Sequence, residues 1–174
     1  MTTYERIFGA GPRGILLSIA LFALAWKLET ACGLPLITNS IVSRWSIFAL
    51  SVIGAIGLAL WSAKSLPPAE RGKNLITSGA YRYLRHPIYA TFLSCFDFGL
   101  AVLLNNWIYI LWAILLHCLW HLNIISEERL MRKEFPIEYD EYCAMTGRFI
   151  PRINYIKHNM RIHWHAFGGH DPRR

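Results

Sequence analysis

Four long apolar runs, joined by short and mostly basic connections, constrain this chain more than any other feature. They begin near Gly14 (continuing through 15–26), and at 45–63, 88–104 and 107–125. A helix needs about 20 apolar residues to cross the hydrocarbon core, with about 17 as the lower end. The last three runs qualify. The first is shorter, with Lys27 and Glu29 near its end; Lys27 can reach back to the interface. Only Asn105 and Asn106 separate the third and fourth runs, so residues 88–125 are expected to form an antiparallel helical hairpin. The expected fold class is all-α: a multi-pass transmembrane bundle of about four spans, plus a cytoplasmic C-terminal amphipathic helix.

Charge placement supports a membrane rather than a nucleic-acid partner. The net charge is +7, but charged residues make up only 17% of the chain and lie between and after the apolar runs. Anionic headgroups and the excess of cations in cytoplasmic loops account for that arrangement. Residues 63–87 hold Lys64, Arg71, Lys73, Arg82 and Arg85 against Glu70, and nine Lys or Arg follow Ile125. Beyond Lys27, the connection between the first two runs carries Arg44 alone of the basic residues, and the hairpin turn carries none. With both termini cytoplasmic, every basic cluster falls inside, as in a bacterial inner membrane or endoplasmic reticulum. Arg6 and Arg13 ahead of the first run, with Ala31-Cys32 after it, resemble a signal peptide. Glu29, however, stands where a cleavage site wants an apolar residue, so the run is read as a span. Cys32, Cys95, Cys118 and Cys143 have no disulfide-framework spacing.

The expected organisation is one membrane domain: an N-terminal helical hairpin over 1–65, a core over 66–153, and a basic, His-rich tail over 154–174. Residues 127–134 continue the fourth helix out of the bilayer until Phe135-Pro136 ends it. Residues 137–144 then form a short helix near the membrane, with Tyr139 and Tyr142 as interface anchors.

Three stretches carry candidate chemistry. In 79–89 (GAYRYLRHPIY), Pro87 suits the first turn of a helix, whose free N–H groups favour an anionic ligand group. Arg85 and His86 add donors there, and Tyr81 and Tyr89 offer aromatic faces to an adenine ring or a sulfonium. The bland alternative is an interface anchor. In the pair Glu127-Glu128, adjacent carboxylates point to different helix faces, so one can bind a ligand amine while the other pairs with Arg85 or Arg129. The third stretch, 147–152 (GRFIPR), suits a segment folding back over a surface site, or an anchored tail. His117 and His121 share a helical face, but a third ligand is not secure, so no metal is expected. Asp97, mid-span, is expected to pair with a group such as His117.

Taken in order, these stretches resemble the isoprenylcysteine carboxyl methyltransferase and phospholipid methyltransferase group of membrane enzymes. The matching segments are 75–89 (LITSGAYRYLRHPIY) and 127–151 (EERLMRKEFPIEYDEYCAMTGRFIP). The resemblance implies S-adenosylmethionine as cofactor at the cytoplasmic membrane surface. It implies cofactor contacts at Lys73, Asn74, Leu75, Ile76, Tyr81, His86, Pro87, Ile88, Tyr89 and Glu127, with Arg85 added from the reading above. The carboxyl methyltransferases of the group carry an arginine where this chain has Asn123, which cannot supply a bidentate cation. That leaves room for a lipid amine, hydroxyl or thiol acceptor. The expected reaction is direct displacement of a methyl group onto a lipophilic small-molecule or lipidated acceptor reached from the bilayer. Glu128 and His121 are the candidate proton acceptors. The rivals are an NADPH-dependent, sterol-type membrane reductase and a non-catalytic accessory protein keeping the fold.

Overall fold

The computed structural model describes residues 11–67 and 74–152. Lys73, Arg71 and the His-rich tail lie outside them. The described chain folds into helices α1 (Gly11–Cys32), α2 (Ile41–Ser65), α3 (Pro87–Leu104), α4 (Trp107–Asn123), α5 (Ile125–Glu134) and α6 (Pro136–Met145). A 3₁₀ turn, Gly79–Arg82, precedes α3, whose Thr91–Phe96 stretch is π-helical. Among the described residues, four segments are long and apolar enough to cross a membrane: α1, α2, α3 and the continuous α4–α5 helix.

Each end of α3 and α4 has a local cause. Pro87 occupies the first turn of α3, where its missing N–H costs nothing. Asn105 closes α3 in the left-handed conformation (φ 61°), which asparagine tolerates better than most residues. Asn106 opens α4 by accepting the Ile108 N–H at 3.0 Å. The two-residue turn therefore makes the expected hairpin.

The first helix is longer than its apolar run, because Lys27 and Glu29 stay inside it. Glu29 is accommodated by the Tyr109 hydroxyl, which donates to it at 2.6 Å. The helices pack in the row α1–α4–α3–α2. Phe22 of α1 meets Trp112 of α4 edge-on at 5.2 Å, and Phe48 of α2 meets Phe96 of α3 at 6.0 Å. The first two helices thus pack mainly on α4 and α3. Outward leucines and isoleucines of α1 and α2, such as Leu16 and Leu50, stay exposed for lipid.

Two expectations fail. Tyr139 and Tyr142 are buried rather than anchored at an interface. The Tyr142 hydroxyl donates to the Tyr81 carbonyl at 2.6 Å, fixing α6 to the turn before α3. Burial pushes its phenol up, so it remains a donor. No hydrogen bond or ion pair joins Asp97 to His117 among the described residues. His117 instead packs edge-on against His121 and Phe149.

Candidate functional site

The polar cluster forms where α3 begins and α4 gives way to α5. Backbone pairing builds its frame. Residues 83–86 lie beside 147–148 in a short parallel pairing, with Arg85 N–H donating to Gly147 O at 2.8 Å and His86 N–H to Arg148 O at 3.1 Å. Gly147 is required by close approach, since a Cβ there would sit 1.7 Å from the Ile150 carbonyl oxygen. This pairing folds 147–152 back onto the head of α3.

Glu128 is the electrostatic centre, with its side chain only 1% exposed. Arg85 Nε donates to Oε1 at 2.9 Å, and Arg148 donates to Oε2 through Nη2 at 2.6 Å and to both oxygens through Nε at 3.1 Å. The remaining donors of these arginines reach carbonyls. Arg85 Nη1 bonds Cys143 O and Thr146 O, and Arg148 Nη1 bonds His121 O. One carboxylate thereby ties the segment before α3, α5, α6 and the 147–152 segment together. Breaking such a buried pair leaves an uncompensated charge and costs about 3–5 kcal/mol.

Glu127 has a different environment. Its Oε1 accepts from the Tyr89 hydroxyl at 2.9 Å, and its Oε2 lies 3.6 Å from His86 Nδ1. The Tyr89 ring sits between His86, stacked at 5.7 Å, and Trp120, tilted at 4.7 Å. His86 Nε2 is buried with no hydrogen-bond partner. Below the cluster, Phe149 is buried against His86, His117 and His121, with centroids 6.0, 5.4 and 4.8 Å away.

The expected site residues therefore divide. His86, Tyr89 and Glu127 come together, while Arg85 and Glu128 form the ion-paired support beside them. Asn74 and Leu75 line a separate cleft of about 600 Å³ against α6, together with Arg82, Glu138 and Glu141. Tyr81 gives its carbonyl to Tyr142, Ile76 is half-buried, Pro87 is fully buried and Ile88 is 42% exposed. His121 meets Arg148 through Nδ1 at 3.4 Å. Asn123 is buried and accepts from Arg13 Nε at 2.9 Å through Oδ1.

Four residues at the cluster were absent from the sequence-derived site: Arg13, Trp120, Arg148 and Phe149. Arg148 and Phe149 stood within a recognised segment without a role. Arg13 looked like an ordinary basic flank. A faint signal existed in Gly14, the small residue beside it. A Cβ there would come within 2.5 Å of the Trp120 ring and 2.6 Å of the Asn123 amide nitrogen.

A model of the phospholipid methyltransferase family matches residues 26–137. The nickel-cobalt-cadmium resistance protein NccN of Alcaligenes xylosoxydans xylosoxydans is 28% identical over 120 residues. That match covers 65% of this chain and 55% of the relative, so the chain spans about half the length of the curated relative it matches. No solved structure matches it.

Proposed function

The chain belongs to the phospholipid methyltransferase family, and on that premise we propose that it transfers a methyl group from S-adenosylmethionine to a lipophilic, membrane-resident acceptor. The observation that carries this reading is the Tyr89–Glu127–His86 group, set where two membrane helices reach the basic end of the bundle. A half-buried carboxylate beside aromatic faces suits a ligand bearing an ammonium and a sulfonium. His86 Nε2 is buried without a hydrogen bond, Glu128 Oε1 lying 3.7 Å away, and a bound polar ligand would satisfy it. Both features fit S-adenosylmethionine. When bound, that cofactor supplies an electrophilic methyl group.

In this reading Glu127, Tyr89 and His86 hold the cofactor. Glu128 is a positioning residue rather than a proton acceptor, because two guanidinium groups keep it ionised and occupied. His121, between Phe149 and Arg148, is the better-placed group to take a proton from an amine or hydroxyl acceptor. Asn74 and Leu75 contribute only if the cofactor extends toward the α6 cleft. The protein's main work is alignment of acceptor and methyl group with water excluded. The concentration of Arg and Lys at this end supports a cytoplasmic site within a working core over 66–153.

The test is calorimetric titration of S-adenosylmethionine and NADPH into the detergent-purified protein, with Glu127→Ala alongside. Binding of S-adenosylmethionine, weakened about tenfold or more by the substitution, is expected. Binding of NADPH instead would move the protein to the reductase reading. Binding of neither by folded protein would favour an accessory role.

A further inference from the structure

The first turn of α1 presses directly on the candidate site. Gly11 lies where a Cβ would meet the Tyr89 hydroxyl at 3.8 Å, and Gly14 is packed under Trp120 and Asn123. Ser18 accepts from the Trp120 indole N–H at 3.0 Å. Between these contacts stands Arg13, whose Nε donates to Asn123 Oδ1 at 2.9 Å and whose Nη2 donates to the Asn123 carbonyl at 3.4 Å. Asn123 itself is four residues before Glu127.

Arg13 and Arg152 each meet neutral groups among the described residues, Arg152 through the Ala144 carbonyl, but Arg13 is the one held against α4 beside Tyr89 and Trp120. Arg85 and Arg148 share the one carboxylate of Glu128, and Arg132 pairs with Asp140. Among the described residues, Arg13 has only neutral partners. Two of its five N–H donors are used, so a fork of N–H groups is left for an oxyanion. An arginine that merely anchored the helix would extend freely into the headgroups. This one is turned toward α4 and oriented by a buried amide.

We propose that Arg13 is a specificity-determining residue that recognises an anionic head, carboxylate or phosphate, on the amphiphilic acceptor, with Asn123 as its positioning residue. The acceptor role rests on the methyl-transfer reading; anion recognition itself does not. The acceptor's tail lies in the leaflet while its head reaches the depth of Arg13, beside Tyr89 and Glu127.

The experiment titrates dodecanoate, dodecyl phosphate and, as cationic control, dodecyltrimethylammonium into full-length protein in dodecyl maltoside, by calorimetry. Wild type, Arg13→Ala, Arg13→Lys, Asn123→Ala and Lys27→Ala are compared, Lys27 being an exposed cation near the opposite end of α1. At least one anionic amphiphile is expected to bind wild type and to lose about tenfold or more in affinity with Arg13→Ala. Arg13→Lys recovers part of the loss, Asn123→Ala loses less, Lys27→Ala changes nothing, and the cation does not bind. Preference for one anion tells a carboxylate acceptor from a phosphate-bearing one. Equal binding by Arg13→Ala overturns the proposal, as does an equal loss with Lys27→Ala, which would mean general charge attraction. If Arg13→Ala does not fold, Arg13→Gln, similar in reach but uncharged, carries the same comparison. S-adenosylmethionine is titrated in parallel. If it fails to bind while anion binding follows Arg13, the methyl-transfer reading falls and the anion site stands. If it binds while the anions ignore Arg13, the reverse holds.

Discussion

The two ends of the bundle are held by different kinds of bond. At one end the connection between α1 and α2 is stitched to the hairpin turn through the backbone and neutral amides. Ile37 N–H donates to Asn105 O at 3.4 Å, Thr38 N–H to Asn105 Oδ1 at 3.0 Å, and Asn106 Nδ2 to Leu34 O at 3.3 Å. At the other end a buried carboxylate gathers two guanidiniums, and a second carboxylate, less buried, meets a phenol and an imidazole. The bonds at the first end are mostly between neutral groups, with Arg44 as a charged donor to the Leu103 carbonyl at 3.0 Å. The charged end is a network in which no member can be removed without exposing the others to an unfavourable field.

The largest expected effect follows from that difference. Glu128→Ala leaves Arg85 and Arg148 without their anion and should cost about 3–5 kcal/mol, read as a large drop in thermal midpoint in detergent. An unchanged midpoint would show that the network is not cooperative. Next comes the seam between α1 and α4. Gly14→Val forces a Cβ against Trp120 and should cost about 1–3 kcal/mol, whereas Gly57→Val, with open space around it, should change stability by less than about 0.5 kcal/mol. Similar values for both would mean that α1 is not tightly docked.

At the first end, Asn105→Ala must hold a left-handed backbone and lose the bond to Thr38, for about 1–2 kcal/mol. Asn105→Gly keeps the conformation and should lose about 1 kcal/mol or less. If the two variants are equal, backbone strain at the turn is not what matters. Glu127→Gln should act on binding far more than on stability. It keeps an acceptor for Tyr89 and should shift stability by at most about 1 kcal/mol, while S-adenosylmethionine binding weakens about tenfold or more. A stability loss as large as that of Glu128→Ala would erase the distinction between the two carboxylates.

Much of the architecture was legible because it is encoded locally. Apolar length gave the spans, Asn105-Asn106 gave the hairpin, Pro87 gave a helix start, and Phe135-Pro136 gave a helix end. Where meaning depended on surroundings, sequence reading failed. Tyr139 and Tyr142 have the composition of interface anchors, but aromatic rings with a polar tip suit a buried contact equally well. Glu127 and Glu128 are adjacent and chemically identical, so nothing in their spacing says which one the arginines take.

By itself, the sequence determined that this chain lives in a bilayer, which segments cross it, and which family it belongs to. Those properties depend on length, periodicity and motif, all written along the chain. Tertiary structure alone decided the row α1–α4–α3–α2, the capture of Glu128 by Arg148 from 20 residues away, and the meeting of Arg13 with Asn123 across 110. Contacts at such separations are chosen by the packing of helix faces, and for Arg13 by the absence of a single Cβ at Gly14. No local period records that choice.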